Sequence, residues 1–116
     1  MTVLDPIILS QNIDLPLAEF ELLVPEDLFY LQGHFPEEPV LPGVVQIDWA
    51  ISLARSVFSL MPDFLGLESL KFHRIIKPLT QLKLVLEHAE ASGKLQFSYT
   101  SDAGQHSQGR VQLGQR

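Results

Sequence analysis

The sequence predicts an α+β fold in which an antiparallel sheet of about five strands wraps round one long central helix. Residues 44–58 are apolar in almost every direction, which is typical of a buried helix. One segment with strand-like alternation precedes this run and four follow it. The chain of 116 residues has no internal repeat or linker. We therefore expect residues 1–116 to form a single domain.

The segment before the helix is predicted to be a half-buried strand over residues 15–24. Ala18, Phe20 and Leu22 alternate there with residues of the opposite face. Residues 1–14 mix apolar and turn-forming residues without a sustained period. They are predicted to form an irregular or short helical arm.

Pro62 stops the helical pattern, and the rest of the chain is predicted to form meandering antiparallel strands. The parity of the apolar residues changes near Glu68 and Ser69, which indicates a bulge. The last strand is the most polar, so we expect it to be the least protected. Three histidines outside the motif described below are expected to be exposed. The predicted strands cover residues 64–77, 80–90, 94–101 and 105–113. The three histidines expected to be exposed are His73, His88 and His106.

Composition excludes several classes of function. The net charge is -6 and the chain has no cysteine, which argues against a nucleic-acid binder and excludes disulfides and zinc–cysteine sites. No apolar run reaches the roughly 18 residues of a membrane span. No secretion signal is evident at the start. We expect a cytoplasmic protein, and a homodimer or larger assembly, because the chain can only just enclose its buried helix.

The densest local signal is the stretch 33–43, which holds three prolines and two glycines in eleven residues. Proline lacks an amide hydrogen and fixes its own φ, so the stretch is predicted to be an extended, ordered loop. His34 lies in this loop, and Asp48 lies in the apolar helix that follows. The helix begins near Gly43, whose amide and that of Val44 are expected to be free to bind an anion.

These residues resemble the FabA and FabZ type of 3-hydroxyacyl-[acyl-carrier-protein] dehydratase, a family with the hotdog fold. The resemblance rests on Gly-His-Phe-Pro at 33–36, on Pro-Gly at 42–43, and on the spacing from His34 to Asp48. A weaker likeness continues through the basic segment 71–78. Together with the short length and Val44-Val45-Gln46, it is similar to the ApeI-like branch linked to aryl polyene synthesis.

The resemblance implies that the chain dehydrates a 3-hydroxyacyl thioester carried by acyl carrier protein, without a cofactor or metal. This reaction needs a base at C2 and an acid at the C3 hydroxyl. His34 is expected to be the base and Asp48 the acid, whose protonated form burial would favour. The resemblance also implies that the base of one subunit faces the acid of the other. The residues expected to bury the acid are Val44, Ile47, Trp49 and Ile51.

Further roles are assigned with alternatives beside them. The amides of Gly43 and Val44 are expected to bind the thioester oxygen. Where the resembled family has a glutamine one turn after the acid, this chain has Ser52, which is expected to orient Asp48. Three basic residues could dock the acidic carrier protein or simply form a solvated face. They are Lys71, Arg74 and Lys77.

Simpler interpretations of the same residues stay open. Asp48 could be a buried acid satisfied by backbone donors, and Trp49 and Phe35 are more often core residues than substrate walls. A metal site of His34 with acidic neighbours is disfavoured by the prolines between them. Two other functions stay open: a hotdog thioesterase, in which Asp48 would activate water, and a catalytically silent subunit that binds an acyl carrier.

Overall fold

The computed structural model of the chain describes residues 3–28 and 39–115. Within these residues the chain forms one α-helix and six strands, and the strands make a single antiparallel sheet in the order β1-β2-β4-β5-β6-β3. The predicted α+β class is confirmed, with six strands rather than about five. The elements are β1 (Ile7–Asp14), β2 (Leu17–Leu23), α1 (Gly43–Val57), β3 (Asp63–Phe72), β4 (Gln81–Ala89), β5 (Lys94–Ser101) and β6 (Gly104–Gly114).

The core lies between one face of the sheet and one stripe of α1. Alternate residues of β2, β4 and β5 are buried, as their period of two predicts. The helix contributes small and aromatic side chains from positions that share one face. The largest fully buried side chains include Trp49, Tyr99, Phe20 and Phe97. Trp49 is therefore a core residue, and its indole nitrogen donates a hydrogen bond to the Leu4 carbonyl at 3.0 Å.

The N-terminal segment corrects the sequence prediction. Residues expected to be irregular or helical include β1, which pairs antiparallel with β2 from Ile7↔Leu23 to Asp14↔Leu17. Two features explain why the sequence pattern did not predict this strand. All its residues are exposed, so no buried face imposes an alternation, and a register shift between Ile8 and Ser10 breaks the period.

The position of β3 also differs from the predicted meander. Although β4 follows it in the chain, β3 pairs with β6 and lies at the far edge of the sheet. The predicted bulge is confirmed, because the register shifts between Glu68 and Lys71 and Ser69 has a φ of 53°. The prediction that the last strand is the least protected is wrong for the same reason. β6 is flanked by β5 on one side and β3 on the other.

The helix confirms its predicted position but not its complete burial. It ends at Val57, five residues before Pro62, with Phe58 as C-cap. The face opposite the sheet is exposed: Val44 is 73% exposed, and Asp48 and Ser52 are exposed as well. One sheet covers only one side of a helix, so an apolar residue on the other side stays uncovered in a single chain.

Two of the three histidines expected to be exposed are buried. His88 follows the inward parity of β4 and packs against Phe58, with ring centroids 5.4 Å apart. His106 is buried beneath the segment that follows β3, whose residues His73 and Arg74 donate backbone hydrogen bonds to the His106 carbonyl. His73 is exposed as predicted. The one helix found within residues 3–28 and 39–115 is too short to cross a membrane.

Candidate active site

The start of α1 presents two backbone amides without acceptors. Pro42 is the N-cap, and its carbonyl accepts from the amides of both Val45 (3.1 Å) and Gln46 (3.2 Å). No side chain caps this end, and the amides of Gly43 and Val44 have no hydrogen-bond partner among the described residues. Since the positive end of the helix dipole lies here, the pair can bind an anionic oxygen.

A cleft of about 380 Å³ opens beside these amides. One wall is the segment that leads into α1, and the other is the end of β3 with the three residues after it. Its lining is mostly apolar, with an imidazole and a guanidinium on the second wall. The cleft is large enough to hold part of a small organic ligand. Its lining residues are Val40, Leu41, Pro42, Gly43, Gln46, Phe72, His73, Arg74 and Ile75.

Gly43 is required by close packing. A Cβ atom built there would lie 2.5 Å from Cζ and 2.9 Å from Cε1 of Phe72, well inside carbon–carbon contact distance. Any side chain at this position would displace the aromatic ring that forms part of the cleft. The ordinary role of a glycine at a helix start and the proposed role of its amide are therefore compatible.

Asp48 lies one turn after Val44 on the exposed face of α1, and it does not line the cleft. The expectation that the chain's own apolar residues bury this carboxyl is wrong. Ile47 and Ile51 are half-buried and Trp49 points into the core.

Burial raises the pKa of the Tyr99 phenol, and the charge of Asp48 raises it further.

Ser52 lies one turn beyond Asp48 on the same exposed face. Within the described residues the two side chains share no hydrogen bond, so the orienting role of Ser52 stays a prediction. His34 and Phe35 lie outside the described residues. The pairing of the His34 imidazole with the Asp48 carboxyl therefore stays a prediction as well.

The three basic residues are exposed, but they do not share a strand as predicted. Lys71 belongs to β3, which ends at Phe72, whereas Arg74 and Lys77 lie in the connection to β4. Past Phe72 the backbone amides of His73 and Arg74 both donate to the single carbonyl of His106 on β6, so the regular ladder does not continue. Arg74 lines the cleft, so a positive charge stands at its second wall.

A buried polar network lies behind the cleft and was not predicted from the sequence. The Gln46 amide is 3% exposed and accepts a hydrogen bond from Ser107 Oγ at 2.7 Å. The Tyr99 hydroxyl donates to the Gln46 carbonyl at 2.6 Å. One feature of the sequence could have indicated this network: Gln46 lies on the inward stripe of an otherwise apolar helix. A buried side-chain amide needs hydrogen-bond partners.

The six-stranded antiparallel sheet round one helix defines the chain as a hotdog protein, the fold of the solved structures it matches. Residues 10–110 match the model of a family described as ApeI-like, ApeI dehydratase. The chain belongs to this ApeI-like dehydratase family. The resemblance to FabA- and FabZ-type dehydratases, and to their ApeI-like branch, is confirmed.

Relatives support the same assignment over part of their length. A 3-hydroxyacyl-[acyl-carrier-protein] dehydratase FabZ from Clostridium novyi (strain NT) is 38% identical over 72 residues, which cover 56% of this chain and 51% of the relative. The FabZ of Acetivibrio thermocellus is 31% identical over 95 residues, or 72% of this chain and 64% of that protein. The chain thus spans about half the length of the first of these relatives and less than two thirds of the second.

Two solved structures match along almost the whole chain. The dehydratase heterocomplex ApeI:P from Xenorhabdus doucetiae has a chain that is 31% identical, with a TM-score of 0.87 and coverage of 93% of this chain and 96% of that one. An uncharacterized protein from Erwinia carotovora subsp. atroseptica is 34% identical, with a TM-score of 0.82 and coverage of 94% and 95%.

Proposed function

We propose that this chain dehydrates 3-hydroxyacyl thioesters to trans-2-enoyl thioesters. The main observation for the proposal is a carboxyl one helical turn from two amides that have no acceptor among the described residues. Asp48 follows Val44 by four residues, about 6 Å along the helix axis. Both belong to the exposed face of α1. With a hydrogen-bond length at each end, this spacing suits a C3 hydroxyl and a thioester carbonyl in one substrate.

In the proposed reaction His34 takes the proton from C2. The electrons of that bond form the C2–C3 double bond, the C3–O bond breaks, and Asp48 gives its proton to the departing hydroxyl, which leaves as water. The amides of Gly43 and Val44 bind the thioester oxygen while it carries negative charge. Return of the proton from His34 to Asp48 restores both groups. Support for His34 is its motif, and support for the amides is their free, dipole-aligned position.

We propose that a second copy of the chain completes this site. An acid that gives a proton at neutral pH needs shelter from water, and the single chain leaves Asp48 exposed. Phe72, which ends β3, packs against Gly43, so the end of this outermost strand approaches the start of the helix. Leu67 on β3 is 41% exposed, and Val44 is 73% exposed. Dimerisation along this side would cover these apolar side chains, and the resemblance implies that a partner's His34 would then face Asp48.

The substrate proposed is an acyl group held on acyl carrier protein, from fatty acid or aryl polyene-type synthesis. The FabZ relatives are named for carrier-protein thioesters, and the matching family is named for ApeI. Arg74 at the cleft, with the exposed Lys71 and Lys77 nearby in the chain, provides positive charge for an acidic carrier and its phosphate. The apolar cleft suits the uncharged part of the thioester.

The test is turnover of a 3-hydroxyacyl thioester on acyl carrier protein, followed by absorbance of the conjugated product and by release of free thiol. We expect conjugated product without thiol. His34→Ala and Asp48→Asn should each lower kcat by on the order of 100-fold or more. Asp102→Asn, an exposed acid in the turn between β5 and β6, is the matched control and should keep wild-type turnover.

Other outcomes separate the alternatives. Free thiol would indicate a thioesterase, and neither product would indicate a silent subunit. Because the Xenorhabdus structure is described as a heterocomplex, the mass of the assembly in solution distinguishes a homodimer from a chain that needs another partner. Mixing folded His34→Ala and Asp48→Asn proteins should restore part of the activity. No recovery after confirmed subunit exchange would refute sites shared between chains.

A further inference from the structure

We propose that Gln46, held by Ser107, is a positioning residue that fixes the two amides at the start of α1 in the direction of the thioester oxygen. This inference rests on the proposed function and assigns to it a residue that touches no reacting atom. Neither the family match nor the relatives assign this role. It follows from a chain of buried hydrogen bonds that ends beside the free amides.

Gln46 ties the helix to the residue that leads into it. Its Nε2 donates to the Leu41 carbonyl at 3.2 Å, and its Oε1 accepts from Ser107 Oγ at 2.7 Å. The backbone amide of Gln46 also donates to the Pro42 carbonyl at 3.2 Å. One residue therefore holds the carbonyls of the two residues that immediately precede Gly43. The Pro42 carbonyl shares its peptide unit with the Gly43 amide, and the Val44 amide belongs to the next peptide unit along the chain.

Ser107 gives this bond a rigid base. It is fully buried on β6, and β6 is paired on both sides. The residue before it, His106, fixes the opposite wall of the cleft: its Nδ1 lies 3.0 Å from the Ile75 carbonyl and its Nε2 lies 2.6 Å from Ser101 Oγ. Two consecutive residues of one strand, paired on both sides, thus hold both walls of the cleft.

Core packing alone does not need this glutamine. Methionine has a similar length and would fill the same space without burying an amide. The side chain of Gln46 instead satisfies one acceptor before the helix and one donor on the sheet, so its polar end selects a single geometry. An oxyanion site demands donors about 2.7–3.1 Å from the oxygen, and small displacements of the binding groups are costly in rate.

The experiment compares wild type with Gln46→Met and Ser107→Ala. The probe is crotonyl-pantetheine with an isotope-labelled carbonyl, and infrared difference spectra of the bound thioester report the hydrogen bonds at that carbonyl. Both variants should move the stretch toward the frequency of the free thioester. In turnover, kcat should fall by on the order of 10-fold or more while KM changes little, because the hydrogen bond is strengthened in the transition state.

Gln112→Met is the matched control. Gln112 is another glutamine with hydrogen bonds, on the same strand β6, but its amide donates to the Ser92 and Leu113 carbonyls away from the cleft. It should leave both the stretch and kcat unchanged. Ser107→Ala keeps Gln46 in place, so it tests the role even where Gln46→Met fails to fold.

Two results would overturn the inference, and they differ. If wild type shifts the carbonyl stretch and a folded Gln46→Met or Ser107→Ala shifts it equally with unchanged kcat, the positioning role is refuted and the dehydratase proposal stands. If wild type neither perturbs the carbonyl nor turns over the carrier-bound substrate, both proposals are refuted.

Discussion

Gly43→Ala separates the stability of the helix start from its activity. The added carbon would lie 2.5 Å from Phe72 Cζ, whereas carbon atoms in contact lie about 3.5–4.0 Å apart. The ring must therefore retreat by about 1 Å or more. Phe72 is 50% exposed, so it can swing toward solvent without displacing the core.

The expected effect on folding is small. Alanine gains up to about 1 kcal/mol over glycine inside a helix, less at its first residue, and this gain offsets part of the packing energy that Phe72 gives up when its ring moves. We expect the free energy of unfolding to change by less than about 1 kcal/mol. The cleft, however, loses a wall position and gains a methyl group beside the Gly43 amide. We expect kcat/KM for the carrier-bound substrate to fall by on the order of 10- to 100-fold.

Urea denaturation and steady-state turnover measure the two effects on the same preparation. Asp102→Asn, in the exposed turn between β5 and β6, is the control. It should leave both quantities near their wild-type values. A Gly43→Ala protein with wild-type kcat/KM would refute the role assigned to the helix start, and a loss of several kcal/mol would show that Phe72 cannot swing aside.

Two further predictions concern buried polar groups. His88 Nε2 is buried without a hydrogen-bond partner among the described residues, so His88→Leu should raise the free energy of unfolding by about 1 kcal/mol, measured in urea; a clear loss would contradict this. The folded-state pKa of Tyr99 lies above its unfolded value, so its contribution is complete below about pH 10 and is lost as pH rises toward the folded pKa. Wild type should lose up to about 1.4 kcal/mol per pH unit above that point, and Tyr99→Phe should lose less; equal slopes would refute the assignment.

The sequence predicted the parts of the fold that have one buried face. β2, β4 and β5 alternate cleanly because their inward residues lie under α1, and the apolar run located the helix to within a residue. The prediction of strands from the sequence failed where burial does not follow a period. β1 is exposed on both faces, and β3 pairs with β6, which is distant in sequence, rather than with β4. Local pattern carries no information about that partner.

The sequence likewise predicted some parts of the candidate site and missed others. The Pro42–Gly43 signal predicted the start of α1, and the motif predicted the family. The prediction that Asp48 is buried was wrong for the single chain. An apolar helix surface can pack against a second chain as well as against the sheet of its own chain. Gln46 and His106 were missed, since their partners, Ser107 and Ile75, lie far away in sequence.

The attachment of both cleft walls to adjacent residues of β6 limits how this protein can change. Spreading the walls would break the buried side-chain hydrogen bonds of Ser107 and His106 or shift a strand that is hydrogen-bonded along two neighbours, so backbone motion is an expensive route to a wider opening. Substitution of the side chains that line it, such as Phe72 or Ile75, leaves those ladders intact. Redesign or natural drift toward bulkier ligands should therefore accumulate at these lining positions while the His106–Ser107 pair stays fixed.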